Sequence, residues 1–168
     1  EPLTEAVEVW TKLVVCLEKN APNMPRITDS NRAQYYGRVS QGFAYALLAR
    51  LYLNAESFGC TPENIILNDE FYTANPSVTR IAGVNDFYTN AVRCCDNVIG
   101  TGYGIESDFF ANFKINNENS KENIFVIVEN GIGEFDLRYN GSMSNKLRLT
   151  MLTLHYSHQT AYGMIEKP

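Results

Sequence analysis

Two groups of polar residues near the C-terminal end have side chains that could bind a metal ion. His155 and His158 stand three positions apart, so on a helix their imidazoles would share one face. Glu129, Glu134 and Asp136 lie in a glycine-containing segment and offer the oxygen ligands that Ca²⁺ takes. No acidic third ligand stands near the histidines, and the acidic group lacks the EF-hand spacing. We expect no metal site, with exposed or packed histidines and a solvated acidic loop, and Ca²⁺ at that loop stays an open alternative.

Tyr139 and Asn140 have the chemistry of a sugar contact. An aromatic ring offers a face to the C–H side of a sugar, and an amide offers both a donor and an acceptor to its hydroxyls. The pair lies in a polar loop predicted over 130–142, and binding groups commonly sit on loops. The alternative is an Asn-Gly turn flanked by a packing tyrosine. We predict Tyr139 and Asn140 as ligand-binding residues and keep that alternative open.

The sequence has no recognisable catalytic motif. It contains no G-x-S-x-G elbow and no C-x-x-C pair, and we expect its four cysteines to be free, buried thiols. An outer-membrane hydrolase, as one alternative, would need two acidic groups facing each other about 5–9 Å apart across a cleft. We therefore predict that the chain is not an enzyme, and we expect no cofactor.

Composition and charge narrow the class of protein further. The 168 residues are 45% hydrophobic and 20% charged, which is the balance of one globular domain. The formal net charge of −5 argues against a nucleic-acid partner, since such proteins usually carry a basic surface. No run of about 18 apolar residues occurs, so the sequence contains no membrane-spanning segment.

Three helices are predicted from the spacing of apolar residues. The first covers about 4–19, with Thr4 as its cap, and ends at the Asn-Ala-Pro sequence. The second covers 40–56 and is apolar on nearly every face, as expected of a helix buried among others. The third covers 86–100, with Asp86 as its N-cap and glycines at its end.

The other segments are predicted to be mostly irregular. Residues 57–85 show no sustained period and read as a long insertion loop, which is usually functional. One helical turn is predicted around 107–113, and the β-branched run 124–128 predicts a buried strand followed by the loop. The predicted fold is mainly α, as a single domain over 1–168, with an irregular loop-rich part and a few short strands.

The second and third helices have the pattern of a tetratricopeptide-type pair. Tyr88, Ala91, Cys95 and Val98 occupy the positions where that repeat has an aromatic, a small, a bulky and a small residue. A small residue at Ala91 lets two helices cross closely, so we predict that Ala91 faces the helix at 40–56. The regular unit has about 34 residues with a short turn. Since 57–85 separates the two helices here, the pair would be an interrupted repeat.

Five segments follow one another in a particular order. They are an Ala-rich helix that opens on Gly-Arg and closes on Leu-Tyr-Leu, the interruption, DFYTNAVRCCDNVIGTGYGI, DFFANF, and SKENIFVIV. In this order the chain resembles the SusD/RagB family over about residues 37–129. The resemblance implies tetratricopeptide-like helix pairs in a SusD-like α-superhelix that supports a loop-rich lobe.

The same resemblance implies a function and a location. Members of the family are lipid-anchored, surface-exposed proteins of the outer membrane that bind oligosaccharides or polysaccharides and cover a SusC-like TonB-dependent transporter. We therefore expect a glycan-binding uptake lipoprotein, of which this sequence is a central part with the lipidated cysteine outside it. The alternative is a tetratricopeptide-type scaffold for protein interactions that binds no glycan.

Overall fold

A computed structural model describes residues 5–35, 37–113 and 120–126 of the chain. This part is mainly helical, which confirms the predicted class, and contains no strand and no helix long and apolar enough to cross a membrane. The α-helices, in chain order, are α1 (Ala6–Asn20), α2 (Arg32–Tyr35), α3 (Gln41–Leu53), α4 (Asp69–Ala74) and α5 (Val84–Gly100). Short 3₁₀ turns lie at Ala21–Asn23 after α1, at Ala55–Phe58 after α3 and at Phe109–Phe113 after α5.

The buried strand predicted at 124–128 is wrong for its described part. Residues 124–126 are irregular, and Phe125 is 47% exposed. A strand needs a partner for its backbone hydrogen bonds, and the described residues provide none. Phe125 instead packs its ring against Phe43 of α3, with 4.7 Å between the ring centroids. Residues 127–142 lie outside the described part of the chain.

Helix α3 lies at the centre of the fold, between α1 and α5. It begins after Ser40, whose hydroxyl accepts a hydrogen bond from the backbone N–H of Phe43 at 3.2 Å. The same hydroxyl lies 3.1 Å from the Tyr103 hydroxyl, so the start of α3 is tied to the segment after α5. The helix lies within the predicted range 40–56 and ends at Leu53.

Gly42 permits a close approach between α3 and Tyr103. A Cβ atom at this position would lie 2.2 Å from Cε2 of the Tyr103 ring, which is itself buried. We expect Gly42→Ala to lower the free energy of unfolding by about 1–3 kcal/mol, because the ring has to move out of a packed site. Urea denaturation measures this change. Gly104→Ala is the matched control, since a Cβ there meets nothing within 4 Å, and an equal loss in both variants would contradict the packing argument.

Three aromatic side chains join the long helices into one core. The Trp10 ring of α1 packs edge-on against Tyr52 of α3 at 5.9 Å and against Phe87 of α5 at 5.8 Å. The indole N–H of Trp10 also donates to the Leu51 carbonyl at 2.8 Å. Ala91 is 6% exposed and belongs to the same buried cluster as α3, as predicted for a close helix crossing.

The buried face of α5 keeps Ala91 and Val98 of the tetratricopeptide-type pattern and departs from it at Tyr88 and Cys95. The structure buries Phe87, Ala91, Cys94 and Val98, whereas Cys95 is exposed and Tyr88 is 40% exposed. The sequence alone cannot distinguish the two faces, because Cys94 and Cys95 are adjacent and chemically identical. The outer face keeps an apolar stripe of Tyr88, Val92, Cys95 and Ile99.

Asp86 is not the N-cap of α5. Gly83 takes that position, and the carboxylate of Asp86 reaches back to accept the backbone N–H groups of Ala82 and Gly83, each at 2.8 Å. This satisfies two N–H groups at the helix start from the third helical position. The helix consequently begins at Val84, two residues before the predicted start.

The segment 57–85 contains a helix that the sequence did not predict. Asn68 caps α4 by accepting the backbone N–H of Phe71 at 2.9 Å, and the Phe71 side chain enters the main core. Further along, the fully buried Asn90 amide of α5 bonds both the N–H and the carbonyl of Thr79, at 2.9 and 2.8 Å. The inserted segment therefore contacts the core at two points, through the Phe71 side chain and through the hydrogen bonds between Thr79 and Asn90.

The four cysteines divide into two pairs by burial. Cys60 and Cys94 are buried, and Cys16 and Cys95 are exposed, so the prediction of uniformly buried thiols is half wrong. All four are free. Burial raises the pKa of Cys60 to about 11 and that of Cys94 to about 12.

Candidate ligand-binding groove

A groove of about 650 Å³ lies between the second half of α1 and α4. Its size falls in the range of about 300–1,000 Å³ that small-molecule sites occupy. The apolar part of its wall comes from Val15, Pro22, Ile66, Phe71 and Ala74. The polar part comes from Glu18, Lys19, Asn23, Asn68, Glu70 and Asn75.

Local backbone bonds orient the three groove asparagines. Asn68 uses its Oδ1 atom to cap α4. Asn75 donates its Nδ2 group to the Phe71 carbonyl at 2.9 Å, and Asn23 donates its Nδ2 group to the Lys19 carbonyl at 3.4 Å. Each amide is therefore held in place by at least one bond to the backbone.

Glu18 is a buried carboxylate on the wall of the groove. Its side chain is 4% exposed, and its Oε1 atom accepts from the Tyr52 hydroxyl at 2.9 Å and from the Arg93 guanidinium. Burial raises the pKa of Tyr52 above its usual value, and the charge of Glu18 raises it further, so this hydroxyl stays a donor. Tyr52 and Arg93 thus bind the same carboxylate oxygen.

A second, smaller pocket near α2 has too little room for a sugar. Its volume is about 20 Å³, roughly that needed for one water molecule. The Arg32 side chain borders it and donates to the carbonyls of Ser120 and Gly102, at 3.2 and 3.5 Å. Arg32 thus joins three separate segments, and we assign it a structural role.

The predicted site residues lie outside the part of the chain that the structure describes. This holds for Tyr139 and Asn140, and also for the acidic loop and the two histidines. Their roles stay predictions. Among residues 5–35, 37–113 and 120–126, no group of three or more acidic, histidine or cysteine side chains is arranged to hold a metal ion.

Sequence reasoning missed the groove residues. Asn68 carries the one usable signal, because asparagine just before an acidic pair is a common helix start and would have indicated α4. Glu18 carries no such signal, since its partner Arg93 stands 75 residues away.

The chain matches no family model, and neither a curated protein nor a solved structure matches it significantly. The resemblance to the SusD/RagB family therefore depends on the order of the sequence segments alone.

Proposed function

We propose that the chain is part of a glycan-binding lipoprotein of the outer membrane, anchored through a cysteine outside this sequence. In this role it captures oligosaccharide or polysaccharide and passes it to a partner TonB-dependent transporter. The order of the five sequence segments supports the proposal. The observation that carries it is the groove, because a buried carboxylate and three amides line it together with apolar side chains. Such mixed walls suit a ligand with many hydroxyls on an apolar ring.

The scaffold behind this site is proposed to be an interrupted tetratricopeptide-like pair. Helices α3 and α5 pack along each other, with Ala91 buried at their contact, and this supports the pairing. The inserted segment 57–85 then contributes to the site, because it contains α4, which forms one wall of the groove.

Filling the groove tests the proposal directly. We expect Ala74→Trp to weaken glycan binding at least about tenfold, because the exposed Ala74 lines the groove and an indole would occupy the ligand's space. Titration calorimetry on the full chain measures the affinity, with a ligand first found on a glycan array. The matched control is Thr73→Trp, one position away on the same helix and also exposed, which should bind normally. Equal affinity in both variants would exclude the groove as the site.

A protein-interaction scaffold is the second candidate. The exposed stripe on α5 favours it, since Val92 and Ile99 are 61% and 69% exposed and lie on one helix face. The two functions differ in their response to substitution there. If the chain binds glycans, a Val92→Asp/Ile99→Asp variant should bind them as the wild type does. If the chain is a scaffold, the wild type should bind no glycan and the variant should lose its protein partner.

A further inference from the structure

Helices α1 and α5 lie on either side of α3 and run in the same direction. Both end near the start of α3, since Gln41 donates to the Pro22 carbonyl at 3.1 Å and a Cβ atom on Gly42 would lie 3.1 Å from the Thr101 hydroxyl oxygen. Their starts meet where the Trp10 ring packs on α5. A second copy of the chain, rotated about an axis parallel to these helices, would therefore lay its α1 parallel to the α5 of the first.

Each of these two helices has an exposed apolar stripe with the spacing of a coiled coil. The residues follow one another in steps of three, four and three on α1, and of four, three and four on α5. Apolar residues in alternating steps of three and four form the seam along which two helices pack at about 20°. The α1 stripe consists of Ala6, Val9, Leu13 and Cys16, and the α5 stripe of Tyr88, Val92, Cys95 and Ile99.

The two stripes match in one register of a parallel helix pair. In that register the positions of the α1 seam coincide with equivalent positions of the α5 seam over three successive steps, so apolar side chains face each other along the contact. The two exposed, free cysteines of the described residues fall opposite each other. The facing pairs are Val9 with Tyr88, Leu13 with Val92, and Cys16 with Cys95.

The same register brings opposite charges together beside the seam. Lys12 flanks the α1 stripe and Asp96 flanks the α5 stripe, both exposed, at the positions through which parallel helices form salt bridges. Lys12 also pairs with Glu8 within α1 at 2.5 Å, but its ammonium has three donors and its side chain is 69% exposed. The α1 stripe therefore suits the α5 stripe in spacing and in charge.

We propose that the chain associates head to tail, with the α1 stripe of one copy packed against the α5 stripe of the next. This association is independent of the proposed glycan binding, and it assigns an occupant to the stripe on which the scaffold candidate depends. The contact joins two different surfaces, so successive copies form a closed ring or an open chain. A four-residue seam is small beside the roughly 1,200–2,000 Å² that stable interfaces bury, so the association is weak and both cysteines stay accessible in dilute solution.

Analytical ultracentrifugation of the full chain tests the association. We expect the average mass of the wild type to rise with concentration up to about 1 mM, whereas Leu13→Asp and Val92→Asp each keep the mass of one chain. An equimolar mixture of the two variants should form dimers and nothing larger, because the first keeps an intact α5 stripe and the second an intact α1 stripe. Ile105→Asp is the matched control, since it places the same charge on a residue that is 92% exposed and outside both helices, and it should associate as the wild type does.

Oxidation with diamide tests the register. Two thiols that face each other across the contact lose two protons and two electrons to diamide and form a disulfide. We expect a Cys16–Cys95 link, identified by mass spectrometry of the peptides. The same link should form in a mixture of Cys16→Ser with Cys95→Ser, where it can arise only between copies.

Three outcomes would overturn the proposal. Links between two Cys16 or two Cys95 residues would replace the head-to-tail contact with a symmetric one. A mixture of Leu13→Asp with Val92→Asp that stays monomeric would do the same, provided that circular dichroism shows both variants folded; Val9→Asp and Ile99→Asp replace a variant that is not. A wild-type chain that stays monomeric throughout would assign the stripes to a different protein and leave glycan binding standing.

Discussion

Replacing Glu18 with leucine is expected to lower the free energy of unfolding by about 3–5 kcal/mol. The carboxylate is the partner of Arg93, whose side chain is only 17% exposed, and it also accepts from the buried Tyr52 hydroxyl. Leucine would leave a buried guanidinium without its counter-charge. Within the part of the chain that the structure describes, the buried Nε atom of Arg93 has no hydrogen-bond partner, so removal of the Glu18 carboxylate would leave the guanidinium still less compensated. Urea denaturation followed by circular dichroism measures the loss.

A second substitution separates the charge effect from simple loss of packing. In Glu18→Leu/Arg93→Met both charges are gone, and buried ion pairs are often replaced by apolar residues at little net cost. We expect the double variant to recover most of the stability that the single variant lost. If the double variant is as unstable as Glu18→Leu alone, the uncompensated charge is not the cause.

Trp10→Ala is expected to have a comparable effect, about 3–5 kcal/mol, because it empties the centre of the core. The Trp10 side chain is fully buried and contacts aromatic rings from both other long helices. Its indole N–H is also the donor to the Leu51 carbonyl, which would lose that hydrogen bond. Thermal unfolding and urea denaturation both report this change.

The neighbouring Val9 provides the comparison for Trp10. It precedes Trp10 on the same helix but is 39% exposed, so Val9→Ala should change stability by less than about 1 kcal/mol. Losses of similar size in the two variants would contradict the role of the aromatic contacts, since alanine is a better helix former than either residue and propensity cannot account for a loss.

Helix positions were predictable because they depend on local patterns. The apolar spacing along α1, the all-round apolar character of α3 and the glycines after α5 each act within a few residues. The errors also have local causes. Aspartate is a common N-cap residue, but Asp86 binds the backbone N–H of the N-cap from the third helical position. The sequence pattern alone does not distinguish these two arrangements.

The register of α5 illustrates a second limit. Cys94 and Cys95 fit an apolar stripe equally well, and only the position of Trp10 and Phe87 in the assembled core decides between them. The strand predicted at 124–128 is absent from its described residues, 124–126, for a related reason. A β-branched run favours a strand only where a partner strand is available, and that is a property of the whole chain.

The candidate groove was not predictable from the sequence. Its walls come from residues about 50 positions apart, on α1 and α4, and its buried acid belongs to a residue type that is usually exposed. The predicted Tyr139 and Asn140 were selected for their chemistry within one loop, a criterion that cannot identify a site assembled from two distant segments.

Because the four cysteines differ in burial, the rates at which they react can report on local opening of the structure. A thiol-alkylating reagent should modify Cys16 and Cys95 at once, whereas Cys60 and Cys94 react only when their surroundings open. Cys60 precedes α4 and Cys94 lies in the core face of α5, so their labelling rates report separately on the inserted segment and on the helical core. Mass spectrometry of the labelled peptides would then show whether the groove wall opens independently of the scaffold behind it.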